Sequence, residues 1–283
     1  MGPPSYQDLG KTAKDLINKG FSIGTLKVDV KNRVGYDKQH EFSTQAFHDI
    51  KTEALNTNIN FKYKILKYDT TLIEKWNSKN VFSTIVELNN QFADGLKICL
   101  ESNYNMKDNS RTAFIKSDYT TPDLKFNNKV SLLGVPTIKS YLVIAHKDIL
   151  LGFQVITNID KMKIKSTNMC VSKVTPYFIL TGYANNRTTF GGSIFHKASS
   201  NLELGAEVSF NSVDKKCNYT LAGKYNMSPD LTLKGKINND SCISMAVKHK
   251  VNNSLALTGT SQFSLISSHR KSHKIGFGIE YSS

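Results

Sequence analysis

The 283-residue chain has no long hydrophobic run. Its longest apolar stretches, such as Tyr141–Ala145, last about one buried strand. That is far short of the ~18 apolar residues of a transmembrane helix, so a helical membrane protein is excluded. Cysteine is scarce: Cys99, Cys170, Cys217 and Cys242 form no C-x-x-C pair and are spaced too widely for a zinc ribbon or knuckle. They read as isolated, mostly buried thiols. No G-x-x-x-x-G-K-[ST] or G-x-G-x-x-G occurs, and Gly276-Phe277-Gly278 lies within a strand pattern. His269 and His273 form H-x-x-x-H, but in a polar turn with no Glu beside the first His, a poor zinc site. No catalytic constellation remains, and no metal or cofactor is expected. The N-terminus lacks an apolar segment behind a basic start, so a secretory signal peptide is not expected. Tyr6 stands where a myristoylation motif wants Ser or Thr.

Acidic residues are few as well, 23 against 37 Lys+Arg, leaving a net charge of +14. The excess points to an anionic partner: nucleic acid, acidic lipid or anions passing through a channel. A hydrophobic content of 39% with a mean hydropathy of −0.33 is too apolar for a disordered chain. It does not argue against a β-barrel membrane protein, whose alternating strands average to a soluble-looking hydropathy.

Residues 5–19 read as the one convincing helix. Pro3 and Pro4 precede it, Ser5 suits the N-cap, and Asp8 completes a weak capping box. Leu9, Ala13, Leu16 and Ile17 make an apolar stripe, with Lys11, Lys14 and Lys19 elsewhere on the surface. Gly20 ends it in a position suited to the left-handed C′ conformation, and Gly24 lets the segment bend again.

From about residue 25 the period changes from 3.6 to 2 and stays there. Leu26, Val28 and Val30 alternate with Lys27, Asp29 and Lys31. Thr57, Ile59, Phe61 and Tyr63 alternate with Asn58, Asn60, Lys62 and Lys64. The same separation holds around Lys97, Lys125, Lys129, Lys234 and Lys236, and in the final run around Lys274. Short polar turns, such as Lys107–Ser110, Ala184–Arg187, Asn211–Lys216, Ser228–Asp230 and Val251–Asn253, punctuate the runs. No composition shift marks a boundary. Two parts follow: residues 1–24, helix and hinge, and residues 25–283, one continuous array. At roughly 13–14 residues per strand and turn the array holds about 19 or 20 strands. A sandwich has about seven to nine strands. An all-β fold closed into a large barrel is expected, too wide for side chains to fill its interior. The helix is the right size to lie inside it.

Periodicity alone does not say which face is inside. A soluble basic β-protein that binds nucleic acid would need aromatics on its basic face for stacking, but most Phe and Tyr share the apolar parity. A membrane barrel turns the apolar face to lipid and the lysines to a water-filled lumen, where they raise the local anion concentration. Glu74 shares its parity with Leu72 and Trp76, which puts a carboxyl toward hydrocarbon unless the register breaks.

Several segments resemble the eukaryotic mitochondrial porins, the voltage-dependent anion channels. Pro3-Pro4-Ser5-Tyr6 and Asp8-Leu9-Gly10-Lys11 resemble the family's N-terminal helix, and Lys19-Gly20-Phe21 with Gly24 its glycine hinge. Glu74-Lys75-Trp76-Asn77, Gly95-Leu96-Lys97, Phe190-Gly191-Gly192-Ser193-Ile194, residues 225–239 and His273-Lys274-Ile275-Gly276 are similar to its other motifs, in the right order. Ser228 and Leu231 depart from the signature, and Ser244-Met245-Ala246 stands where the family has a glycine-rich stretch.

The resemblance implies a transmembrane β-barrel of 19 strands with first and last strands paired in parallel. It also implies a voltage-dependent, weakly anion-selective channel of the mitochondrial outer membrane and no enzyme. Its partners would be outer-membrane lipids, metabolite anions and nucleotides such as ATP and ADP as permeants, a homo-oligomer and cytosolic docking proteins, without nucleic acid. Lys11, Lys14, Lys19, Lys27, Lys31, Lys62, Lys64, Lys97, Lys236 and Lys274 would attract anions. Gly20 and Gly24 would form the hinge, and Glu74 would face the membrane. A related barrel serving protein import is the rival, and it would favour acidic patches over these lysines.

Overall fold

In a computed structural model of the chain, residues 2–35, 39–265 and 273–283 are described. His269, half of the H-x-x-x-H pair, lies outside them. Among the described residues, nineteen strands form a single sheet that closes on itself, from β1 (Thr25–Val34) to β19 (Lys274–Ser282). Each strand pairs antiparallel with its sequence neighbour. The ring shuts where β1 meets β19 in parallel, from Leu26 opposite Phe277 to Lys31 opposite Ser282. An odd number of alternating strands leaves the first and last running the same way, so this seam must be parallel. Closure removes the edges that an open sheet would expose.

The polar punctuation falls where turns occur, at residues 106–109, 186–188, 212–215, 227–230 and 251–254. Asn109 and Asn186 adopt positive φ there, a conformation asparagine tolerates. The ladder slips at two places, between Ala113 and Phe114 and between Ile156 and Thr157.

The two parities of each strand meet different surroundings. On β10 (Ile149–Asn158), Ile149, Leu151, Phe153 and Val155 are exposed, while Gly152, between Leu151 and Phe153, is buried. Leu26 is 45% and Trp76 48% exposed on the same outward parity of their strands. A continuous apolar belt of this kind does not persist in water. It matches the lipid face of a membrane barrel.

The N-terminal helix departs from the expected single run over 5–19. A 3-10 turn at Tyr6–Asp8 is followed by α1 (Lys11–Asn18). Leu9 is extended, with φ −64 and ψ 124, and Gly10 is left-handed, with φ 67. The bend at these two residues lets each half of the apolar stripe reach a different patch of wall. Ser5 does not cap a backbone N–H as expected. Its hydroxyl instead donates to the Asp8 carboxylate at 2.6 Å. Gly20 takes the left-handed conformation expected of it, with φ 84, and Gly24 follows with φ 69.

Candidate functional site

The N-terminal segment touches widely separated strands. A Cβ on Gly2 would meet Thr120 of β7 (Ser110–Thr120), and Ser22 lies against Gly276 of β19. About twenty residues can contact such distant parts of the ring only by crossing the lumen. The segment is therefore inside, and the parity it touches is the inner wall. Leu9 packs on Val143 of β9 (Thr137–His146) and Cys170 of β11 (Lys163–Val174). Leu16 and Ile17 pack on Ala222 of β15 (Lys216–Asn226), beside Phe195 of β13 (Thr189–Lys197). Leu9 is 3% and Val143 0% exposed, so this docking surface is as dry as a protein core. The wall is trimmed to receive it. A Cβ on Gly152 would sit 2.4 Å from Leu9 Cδ1, and one on Gly276 would sit 1.6 Å from the Ser22 carbonyl oxygen.

The rest of the inner wall is polar, and the expected lysines lie on it, many of them paired. Lys31 bridges Glu41 at 2.9 Å, and Lys97 bridges Glu87 at 2.9 Å. Lys27 pairs with Asp29, on its own strand. On the N-terminal segment, Lys11 reaches Asp8 at 2.6 Å and Lys19 reaches Asp15 at 2.7 Å. Lys14 stands 5.5 Å over the Tyr183 ring. Lys62, Lys64 and Lys274 have no ion-pair partner among the described residues. The Lys274 stem passes 3.4 Å from where a Cβ on Gly24 would be, so it borders the hinge. These pairs face water, where screening leaves each of them little net stabilisation. Pairing also cuts the field each lysine projects into the lumen.

Lys236 does something the sequence did not suggest. Its Nζ donates to the Ile17 carbonyl at 3.1 Å, and Lys234 Nζ donates to the Lys19 carbonyl at 2.9 Å. Both lysines rise from β16 (Leu231–Asn238), and both stand over the Phe21 ring, at 4.6 and 5.8 Å. The last carbonyls of a helix are unsatisfied and carry its negative dipole end, so a cation there is favourable. Lys236 is a clamp on the helix C-terminus before it is an attractor of permeant anions.

At the other end of the segment, hydrogen bonds from Lys11 and then Ser5 hold the Asp8 carboxyl below its usual range. Asp8 in turn raises Lys11. Tyr6 is half-buried against Tyr141, ring centroids 5.9 Å apart. Burial pushes its phenol up to about 12.

On β4 (Thr70–Asn77), Glu74 pairs with Phe61 and Thr84 in an unbroken register. It shares the outward parity of Leu72 and Trp76, so no slip turns it inward.

Some lumen residues were not singled out from sequence: Lys116, Lys139, Lys224 and Lys248. Their signal was the same alternation, obscured because Phe114 and Tyr141 share the inner parity with Lys116 and Lys139. Lys224 bridges Glu203 at 3.1 Å, and Lys248 bridges Glu280 at 2.5 Å. Among the described residues no cluster of His, Cys, Asp and Glu could hold a metal.

Residues 2–276 match the family model described as eukaryotic porin. Over 281 residues the chain is 36% identical to the probable voltage-dependent anion-selective channel of Caenorhabditis elegans, covering 99% of each chain. It is 30% identical to the voltage-dependent anion-selective channel of Drosophila melanogaster, again over 99% of each. It is 29% identical to the non-selective voltage-gated ion channel VDAC1 of Rattus norvegicus, covering 99% of this chain and 98% of the other. A closed barrel of nineteen strands, an internal helix and a match along nearly its whole length place the chain in the eukaryotic porin family, which comprises channels and not enzymes.

Proposed function

We propose that the chain forms a voltage-dependent, weakly anion-selective pore in the mitochondrial outer membrane, passing ATP, ADP, phosphate and small organic anions. The observation that carries this reading is the segregation of faces around the ring. Leu, Ile, Val and Phe face outward and stay exposed, while lysines line an interior too wide to be filled. The names of the relatives, anion-selective in two cases and non-selective in the third, fit a modest preference. The paired lysines give it a physical basis. Part of the lumen charge is compensated locally, and the excess left to select anions is spread over Lys62, Lys64, Lys274 and other lysines without an acidic partner among the described residues.

Gating follows from the same architecture. Residues 1–24 are the movable part and residues 25–283 the wall, with Gly20 and Gly24 as the hinge. Lys11, Lys14 and Lys19 ride on the segment together with Asp8 and Asp15, so its position responds to voltage through the one positive charge left over. Glu74, aimed at lipid, marks the outer face where a second copy or a cytosolic protein would dock.

Planar-bilayer recording of the purified chain in a salt gradient tests the reading. The expected result is stepwise conductance that falls at high voltage of either sign, with a small anion-directed reversal potential. A silent membrane, or a cation-directed reversal potential, overturns it.

A further inference from the structure

The wall facing the first turn of the N-terminal segment carries an arrangement that a bare barrel should avoid. β7, β8 (Leu124–Leu133) and β9 are consecutive strands. Their register sets Lys116 directly opposite Lys129, and Lys129 directly opposite Lys139. Neighbouring strands lie about 4.8 Å apart, and like charges placed directly opposite destabilise a sheet. All three lysines share the inner parity, because the same strands carry Val143 and Tyr141 toward the N-terminal segment.

Compensation within the protein is incomplete. Glu101 takes Lys116 at 2.6 Å and Lys129 at 3.6 Å, through the same carboxylate oxygen. Lys129 rests its ammonium 3.7 Å from the centre of the Phe114 ring. Asp118, on the adjacent rung, accepts from the Asn127 amide at 2.6 Å and forms no ion pair among the described residues. Lys139 has neither an ion pair nor a hydrogen bond among the described residues. The row opens into a cavity of about 360 Å³, bounded by Lys116, Lys129, Lys139 and Tyr141 on the wall and by Tyr6 and Gln7 on the segment. Asn127 also borders it, and its side-chain oxygen is buried with no hydrogen-bond donor.

We propose that this cavity is an anion subsite in which Lys129 and Lys139 hold a phosphate group beneath the N-terminal segment. Three lysines against Glu101 and Asp118 leave one positive charge uncompensated. That suits a small anion held briefly more than a polyanion held tightly. The free Lys139 ammonium supplies donors, and a phosphate oxygen lying between Lys129 and Lys139 relieves their repulsion. A phosphate presents several oxygens and can bridge both ammonium groups at once, which a single halide ion does less well. The subsite therefore prefers hydrogen phosphate to chloride. The phosphate can be free or the terminal group of a nucleotide, since both present the same oxygens. The inference rests on the lumen being a path for anions and specifies one place where they pause.

The test is thermal unfolding of the full chain in detergent at constant ionic strength, in chloride, in inorganic phosphate and in chloride with ATP. The wild type should melt higher in phosphate than in chloride. K139Q should melt higher than wild type in chloride, because repulsion is relieved, and should lose most of the phosphate increment. K129Q should behave alike, and K139R should keep the increment. At least a fivefold rise in the phosphate concentration giving half the shift is expected for K139Q. A shift with phosphate but not ATP assigns the subsite to the free ion, and a shift with ATP at lower concentration assigns it to nucleotides. An unchanged increment in both Gln variants, or none in the wild type, overturns the subsite. Bilayer recordings on the same samples keep the two readings apart: an anion-selective pore without the phosphate increment removes the subsite and leaves the channel standing.

Discussion

Replacing Lys234 and Lys236 by methionine should loosen the N-terminal helix while leaving the barrel intact. Methionine keeps much of the stem and its contact with Phe21 but loses the charge and the donor. Each lysine makes one hydrogen bond to a carbonyl at the helix C-terminus, at 2.9 Å from Lys234 and 3.1 Å from Lys236. A hydrogen bond from a charged donor is worth about 1.5–3 kcal/mol, and the dipole adds about 0.3–1 kcal/mol. The Lys234 bond is exposed, so screening reduces it to ~0.5–1 kcal/mol. The Lys236 bond is partly buried and keeps about 1.5–2 kcal/mol. The double variant therefore loses about 2–3 kcal/mol of docking energy, roughly a 30- to 150-fold rise in the undocked fraction. Lys236 should account for most of it.

A spin label at exposed Thr12, in a background lacking the exposed Cys217, would report docking as the mobile fraction of the spectrum. Bilayer recording of the same proteins should show closure at lower voltage. The reasoning fails if the double variant leaves both the mobile fraction and the closing voltage unchanged. It also fails if the only effect is a cation-directed shift of reversal potential, because the lysines would then act on permeant ions and not on the helix.

Four further outcomes are expected. Leu16→Ala, at a side chain 4% exposed against Ala222 and Phe195, should cost about 2–3 kcal/mol of docking, near the low end of Leu→Ala losses, because water can fill the gap; the same label reads it. Gly276→Ala should displace the hinge, since its Cβ would fall 1.6 Å from the Ser22 carbonyl oxygen, a backbone atom that cannot rotate away; faster proteolysis of the N-terminal segment in folded protein checks this. Glu74→Gln should leave conductance and reversal potential unchanged but raise thermal stability in bilayers, because it removes a carboxyl from the lipid face; a changed reversal potential would show that Glu74 faces the lumen instead. Alkaline pH should release the segment. The Tyr6 phenol is pushed up by burial from 10.0 to about 12, so its docking contribution is complete below pH 10 and disappears as pH rises from 10 towards 12. Tyr6→Phe should remove that pH-dependent step in label mobility.

Strand alternation made most of the wall legible. Lys27 and Lys31 against Leu26, Val28 and Val30 set an inner and an outer face, and β1 shows the same division. Glu74 was assigned to the apolar parity by Leu72 and Trp76, and the unbroken β4 register keeps it there. Alternation worked because a strand has period two whatever the barrel radius. It failed where the inner wall is not wet. Tyr141–Ala145 is apolar on both parities because Val143 touches Leu9 and Tyr141 meets the Tyr6 ring. The longest apolar run in the chain is thus the imprint of the docked segment, but nothing local distinguishes it from an ordinary buried strand.

Local chemistry by itself determined the elements that depend on a few consecutive residues: period-two strands, Asn-rich turns, and the stop at Gly20. It also determined the sign of the charge on the lumen face. Only the tertiary structure decided how that charge is spent. Whether Lys31 meets Glu41, Lys236 meets the Ile17 carbonyl, or Lys139 finds no acidic partner among the described residues depends on register between strands and on where the segment crosses the ring. The bend at Leu9 and Gly10 belongs to the same class. An isolated helix gains hydrogen bonds by continuing through those residues, but the wall offers two separate apolar patches, and burying a leucine in each outweighs the turn that is lost.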